Sequence, residues 1–142
     1  MLRLTTTWNW LGAAANYRRS SIITGFHPVF QSCHDLYTRD VRSYEALTRF
    51  DDGERPDLVF ADAWRVGLGQ ELEVACARAA VEAANRHLGA LPLSLNFSQE
   101  VIISGAVADL VAESVSPIVI EVTEHVPRAA GVTRRQRWPG TM

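Results

Sequence analysis

The run Ile118-Val119-Ile120-Glu121-Val122-Thr123 limits the fold more than any other stretch. As a strand it is apolar on both faces except at Glu121, the texture of a parallel strand covered on both sides. A parallel strand needs a crossover of a dozen or more residues, usually a helix. The preceding sequence supplies such units. Residues 91–97 form a short strand, with Leu93, Leu95 and Phe97 facing one way and Ser94 and Asn96 the other. Ser98 is an N-cap candidate, and 99–114 reads as one helix. Residues 68–88 give the clearest helix, with the stripe Leu68, Leu72, Cys76, Ala79 and Ala83 and i,i+4 pairs Arg78–Glu82 and Glu82–Arg86. Gly89 is its stop. Upstream, 56–66 is helical, with Pro56 in its first turn and Gly67 past its end.

Two further strands open the pattern. Residues 21–30 are rich in β-formers, with Pro28 marking an end or an edge, and 41–50 follow. On the second, Ser43, Glu45, Leu47 and Arg49 share one face, and Asp51-Asp52-Gly53 turns the chain. The order is strand, strand, helix, helix, strand, helix, strand, an α/β chain built of parallel βα units. Three segments are expected: a leader over 1–20, a domain over 21–125, and an Arg-rich disordered tail over 126–142.

Composition removes several classes. The formal net charge is −2, which gives no general pull toward nucleic acid or anionic lipid. No stretch approaches the length of a membrane span. The residues before 18 hold only a broken apolar run, short of a signal peptide's h-region. Cys33 and Cys76 make neither a disulfide framework nor a CxxC site, which fits a reducing, cytoplasmic setting with Cys76 as a buried free thiol. The tail carries Arg128, Arg134, Arg135 and Arg137 without an acid, but a solvated segment explains it better than a nucleic-acid contact.

Glu45, Asn96 and Glu121 stand out as polar residues on otherwise apolar strands. A carboxylate buried on a strand is costly unless it is paired or binds metal. If the strands line one barrel, the three converge near the C-terminal strand ends, where barrel enzymes keep their chemistry. Two carboxylates and an amide oxygen suit Mg²⁺ or Mn²⁺, and Arg49 can reach a phosphate. The plainer alternative stays open: Glu45 pairs with Arg49, Asn96 caps the next helix, and Glu121 is a surface residue.

The segment Tyr44-Glu45-Ala46-Leu47-Thr48-Arg49-Phe50 resembles the signature of the EAL family of cyclic-di-GMP phosphodiesterases. Phe26-His27-Pro28-Val29 resembles that family's aromatic-Gln-Pro-Ile/Val strand, Leu93-Ser94-Leu95-Asn96-Phe97-Ser98 its Val-Asn-Leu-Ser strand, and Ile120-Glu121-Val122-Thr123-Glu124 its Glu-Ile/Leu-Thr-Glu strand. The four motifs occur in the family's order over 26–125. The resemblance implies a partial TIM-like (β/α) barrel, roughly its first half, with one antiparallel strand. It implies Glu45, Asn96 and Glu121 as metal ligands, Arg49, Leu47 and His27 on the ligand side, and Glu124 as support for a nearby loop. The implied reaction opens cyclic di-GMP to pGpG with two Mg²⁺ or Mn²⁺ ions.

Several parts of that site have no counterpart in these residues. His27 stands where the family has Gln, no Asp occurs after Asp109, and the chain contains no Lys. The Asp-Asp motif, the lysine and the later Glu are therefore missing. Metal binding is expected to be weak, and hydrolysis by the isolated chain absent. The alternatives are a degenerate module binding cyclic di-GMP or a protein, or a nonfunctional truncated gene product. Open strand edges lead to the expectation of a homodimer or of a complementing EAL- or GGDEF-containing partner. Neither nucleic acid nor membrane is expected as a partner.

Overall fold

The computed structural model describes residues 25–123. The leader, the start of the first strand at 21–24, Glu124 and the Arg-rich tail lie outside the described residues. Strand β1 (Phe26–His34) and strand β2 (Val41–Phe50) form an antiparallel hairpin, in register from Phe26↔Phe50 to Cys33↔Ser43 with a slip before His34. Asp35 closes its turn by accepting the amides of Tyr37 and Thr38 at 2.9 and 3.0 Å. These bonds hold its carboxyl below the usual range. Helices α1 (Pro56–Arg65) and α2 (Gly69–His87) follow. Strand β3 (Leu93–Ser98), helices α3 (Gln99–Ile103) and α4 (Ala106–Glu113), and strand β4 (Ile118–Thr123) complete the described chain.

The sheet order is β1-β2-β3-β4. β3 runs parallel to β2 and to β4 while β1 is antiparallel to β2, so the sheet is mixed, an arrangement consistent with a partial β/α barrel. The two parallel ladders are unequal. β3 and β4 match at six positions, from Leu93↔Ile118 to Ser98↔Thr123, whereas β2 and β3 match only at Tyr44↔Leu93 and Glu45↔Ser94.

One face of the sheet carries the core. Leu93, Leu95 and Phe97 are at most 3% exposed and pack with Ala77, Ala80, Val81 and Ala84 of α2 and Val107 and Leu110 of α4. A smaller cluster gathers Phe50, Ala63, Leu72 and Cys76, with Phe26 and Phe60 edge-on to Phe50 at 6.3 and 6.1 Å. The opposite face carries Leu47, Ser94, Asn96, Val119 and Glu121, none of which belongs to either cluster.

The structure corrects five expectations. β1 does not end at residue 30 but continues to His34, and Pro28 marks an edge rather than an end: β1 is an outer strand of the described sheet, where proline's missing N–H is tolerated. The single helix over 99–114 is two, broken at Ser104-Gly105, where Gly105 takes φ 81. The buried stripe of α2 is Leu72, Glu73, Cys76, Ala77, Ala80, Val81 and Ala84, so Ala79 and Ala83 sit at its margin. Arg78 does not spend its guanidinium on Glu82 but donates to Glu113 of α4 at 2.7 and 2.6 Å. Among the described residues β4 is not covered on both faces: Val119, Ile120 and Val122 are 46%, 41% and 61% exposed. It is the last described strand, and only Ile118 packs against the core. No helix among the described residues is long and apolar enough to cross a membrane.

Both cysteines are free, Cys33 exposed and Cys76 buried. Burial pushes the Cys76 thiol up to about 11, against the lowering influence of the Thr48 hydroxyl. A thiol-reagent titration at neutral pH should therefore show fast reaction at Cys33 and reaction of Cys76 only after unfolding. Rapid labelling of both in the folded chain would contradict this packing. The folded state keeps the Cys76 proton to higher pH than the unfolded chain, whose thiol ionises near 9.0. Its contribution to stability is thus intact below about pH 9 and is lost as pH rises toward 11.

Candidate functional site

Register and parity bring most of the polar residues singled out in the sequence to one face. Side chains alternate along a strand, and paired residues share a side. His27 is opposite Arg49, Gln31 opposite Glu45, Glu45 level with Ser94, and Asn96 level with Glu121. His27, Arg49, Glu45, Asn96 and Glu121 therefore lie on the face opposite the core, with Leu47 between Glu45 and Arg49.

Asn96 and Glu45 are in direct contact. The Asn96 side-chain amide donates to Glu45 Oε1 at 3.0 Å. This bond crosses the strip where β2 and β3 are no longer paired, beyond Ser94. Of the plainer alternative, only the surface position of Glu121 is met. Asn96 does not cap the following helix; Ser98 does, its Oγ accepting the Val101 amide at 3.4 Å. Glu45 and Arg49 form no ion pair among the described residues; Arg49 Nη1 donates to its neighbour's carbonyl at Thr48, 3.1 Å away. Glu121 is exposed on β4. His27 Nδ1 donates to Asp51 Oδ1 at 2.8 Å at the mouth of the hairpin, with both side chains more than half exposed.

A cavity of about 180 Å³ opens where β2 and β3 part. Leu47, Arg49 and Asn96 border it from the strands, and Phe60, Glu73 and Cys76 from the helices. Its floor contains a buried carboxylate that sequence reasoning did not single out. Glu73 is 6% exposed. Its Oε1 accepts the Trp64 indole N–H at 2.8 Å, and its Oε2 accepts the Ser98 amide at 2.8 Å and hydroxyl at 2.9 Å. The available signal was its position: Glu73 lies beside Leu72 on the inward side of α2, where a solvated glutamate does not belong.

Oxygen donors are present, but a complete ion cage is not. Glu45, Asn96 and Glu121 offer two carboxylates and an amide, hard donors of the kind that suit a Mg²⁺- or Mn²⁺-like ion. Among the described residues no three His, Cys, Asp or Glu side chains gather into a metal-holding group. Glu124, expected to support a loop, lies outside the described residues.

Comparison of the fold with solved structures gives a consistent result. The chain is similar to Klebsiella pneumoniae BlrP1 in a calcium and cyclic-di-GMP complex, with a TM-score of 0.59 and 16% identity over 86% of this chain. Two manganese and cyclic-di-GMP complexes of BlrP1 each give 0.51, at 18% and 20% identity over 84% of the chain. The likeness is one of fold. The chain spans 38% of the length of each of these BlrP1 chains. No protein-family model matches the chain, and no curated protein matches it.

Proposed function

We propose that residues 21–125 form a partial EAL-type barrel that holds cyclic di-GMP and a divalent cation on the open sheet face without hydrolysing the nucleotide. The observation that carries this reading is the Asn96–Glu45 contact across the parted strands, with Glu121 level with Asn96. Three oxygen-bearing side chains from three consecutive strands of the sheet thus face the same side. The likeness to BlrP1 structures containing cyclic di-GMP with calcium or manganese supports it at the level of fold.

In this reading Glu45, Asn96 and Glu121 hold the cation weakly. Arg49 meets a phosphate of the ligand, and Leu47 and His27 border the ligand on the hairpin side. A bound divalent ion would supply charge stabilisation at phosphate and a more acidic water. These residues orient and neutralise the ligand, but a two-ion clamp needs further carboxylates, and the chain has no lysine to assist. The edge of β4, unpaired among the described residues and with Val119, Ile120 and Val122 exposed, is where a second copy or a complementing polypeptide would add. We place the whole unit in the cytoplasm.

Binding of labelled cyclic di-GMP to the purified chain, in Mn²⁺ and in EDTA, tests the proposal, with product separation on the same samples. Retention in Mn²⁺, loss in EDTA and no pGpG are expected. Absence of binding in both would return the chain to a nonfunctional partial barrel. Formation of pGpG that disappears in Glu45→Ala would overturn the catalytically silent part.

A further inference from the structure

We propose that Glu73 is the positioning residue that sets Asn96 against Glu45. This rests on the cation-site reading above but concerns a residue that reading does not use. The Asn96–Glu45 contact lies beyond the last rung of the β2–β3 ladder at Ser94, so backbone pairing with β2 does not fix Asn96. Two features hold the end of β3 instead. One is its ladder with β4. The other is the Glu73 carboxylate, which takes both the amide and the hydroxyl of Ser98, two residues past Asn96.

Glu73 comes from α2, which also packs on β1 and β2. Its bonds thus tie the end of β3 to the helix that backs Glu45's own strand. The Trp64 indole holds the other carboxylate oxygen and limits its rotation. Isolating a carboxylate from water is costly, and an apolar side chain of similar volume would often stabilise a core equally well. What such a residue cannot supply is a pair of directed acceptor bonds to Ser98, each charge-assisted. Partners behind a ligating side chain commonly govern metal affinity by about 10–100-fold.

The test compares the full chain with Glu73→Gln and Trp64→Phe. Glutamine keeps the volume but turns one acceptor into a donor facing N–H groups. Trp64→Phe removes a Glu73 partner without touching Ser98. The readout is the Asn96 side-chain NH₂ pair in a nitrogen-edited NMR spectrum, assigned by its loss in Asn96→Asp. In Glu73→Gln it should move toward the position of a free amide, the shift expected of Glu45→Ala, and Mn²⁺ affinity should fall by about 10–100-fold. In Trp64→Phe it should stay. A folded Glu73→Gln chain with an unmoved Asn96 signal would show that Glu73 only stabilises the core, and the proposal would be wrong. Should Glu73→Gln not fold, Ser98→Ala removes one of the two Ser98 donors; a smaller shift in the same direction supports the proposal and no shift refutes it. If the parent chain does not respond to Mn²⁺, the cation reading fails, and the Asn96 signal still decides the role of Glu73.

Discussion

Phe97→Ala should bring the chain close to unfolding in water. Phe97 is fully buried in the main cluster, which also holds residues of α2 and α4. Removing a buried phenyl ring costs about 3–5 kcal/mol, with the larger losses where neighbours cannot fill the gap. Here the neighbours from α2 include Ala77, Ala80 and Ala84, whose methyl groups cannot reach into a void. Small domains hold only about 5–15 kcal/mol in all. Urea unfolding followed by circular dichroism should show the midpoint collapsing, whereas Phe97→Leu should retain most of it. A Phe97→Ala chain with a near-parental midpoint would mean that the sheet and α2 are not packed as described.

Glu45→Ala should act in the opposite manner, removing the proposed cation binding and sparing the fold. Glu45 lies on the face opposite the core, and its bond to Asn96 is exposed, so the urea midpoint should move by less than about 1 kcal/mol. If Glu45 holds the cation as proposed, Mn²⁺ affinity should drop by about 100-fold or more, because a ligating carboxylate matters at least as much as the partners behind it. Titration calorimetry with Mn²⁺ checks this. Equal affinity in parent and variant would move any cation site away from β2.

These two residues also show what could be read in advance. Phe97 and its alternates Leu93 and Leu95 declared their facing by simple alternation, and β2 was legible from end to end for the same reason. The grouping of Glu45, Asn96 and Glu121 on one face followed from parity once the strands were parallel. Whether they touch did not, because contact depends on register between strands far apart in sequence. Glu73 was illegible for a related reason. Its inward position is local, but its partners Trp64 and Ser98 come from other elements, and only their placement makes a buried carboxylate tolerable. The break at Gly105 was visible as a residue but not as an event, since glycine inside a helical pattern is often accommodated. Pro28 left an end and an edge both open, because a strand's outer position is a property of the sheet rather than of the residue.

The short ladder between β2 and β3 has a mechanical consequence. A sheet joined by two rungs behaves as two leaves on a common spine, the hairpin on one side and the β3–β4 pair on the other. On the rear, α2 spans the seam as the spine. On the front, one side-chain bond crosses it. Any molecule that grips Arg49 on one leaf and Glu121 on the other would act as a clasp, and its grip would be felt as a change in the angle between the leaves.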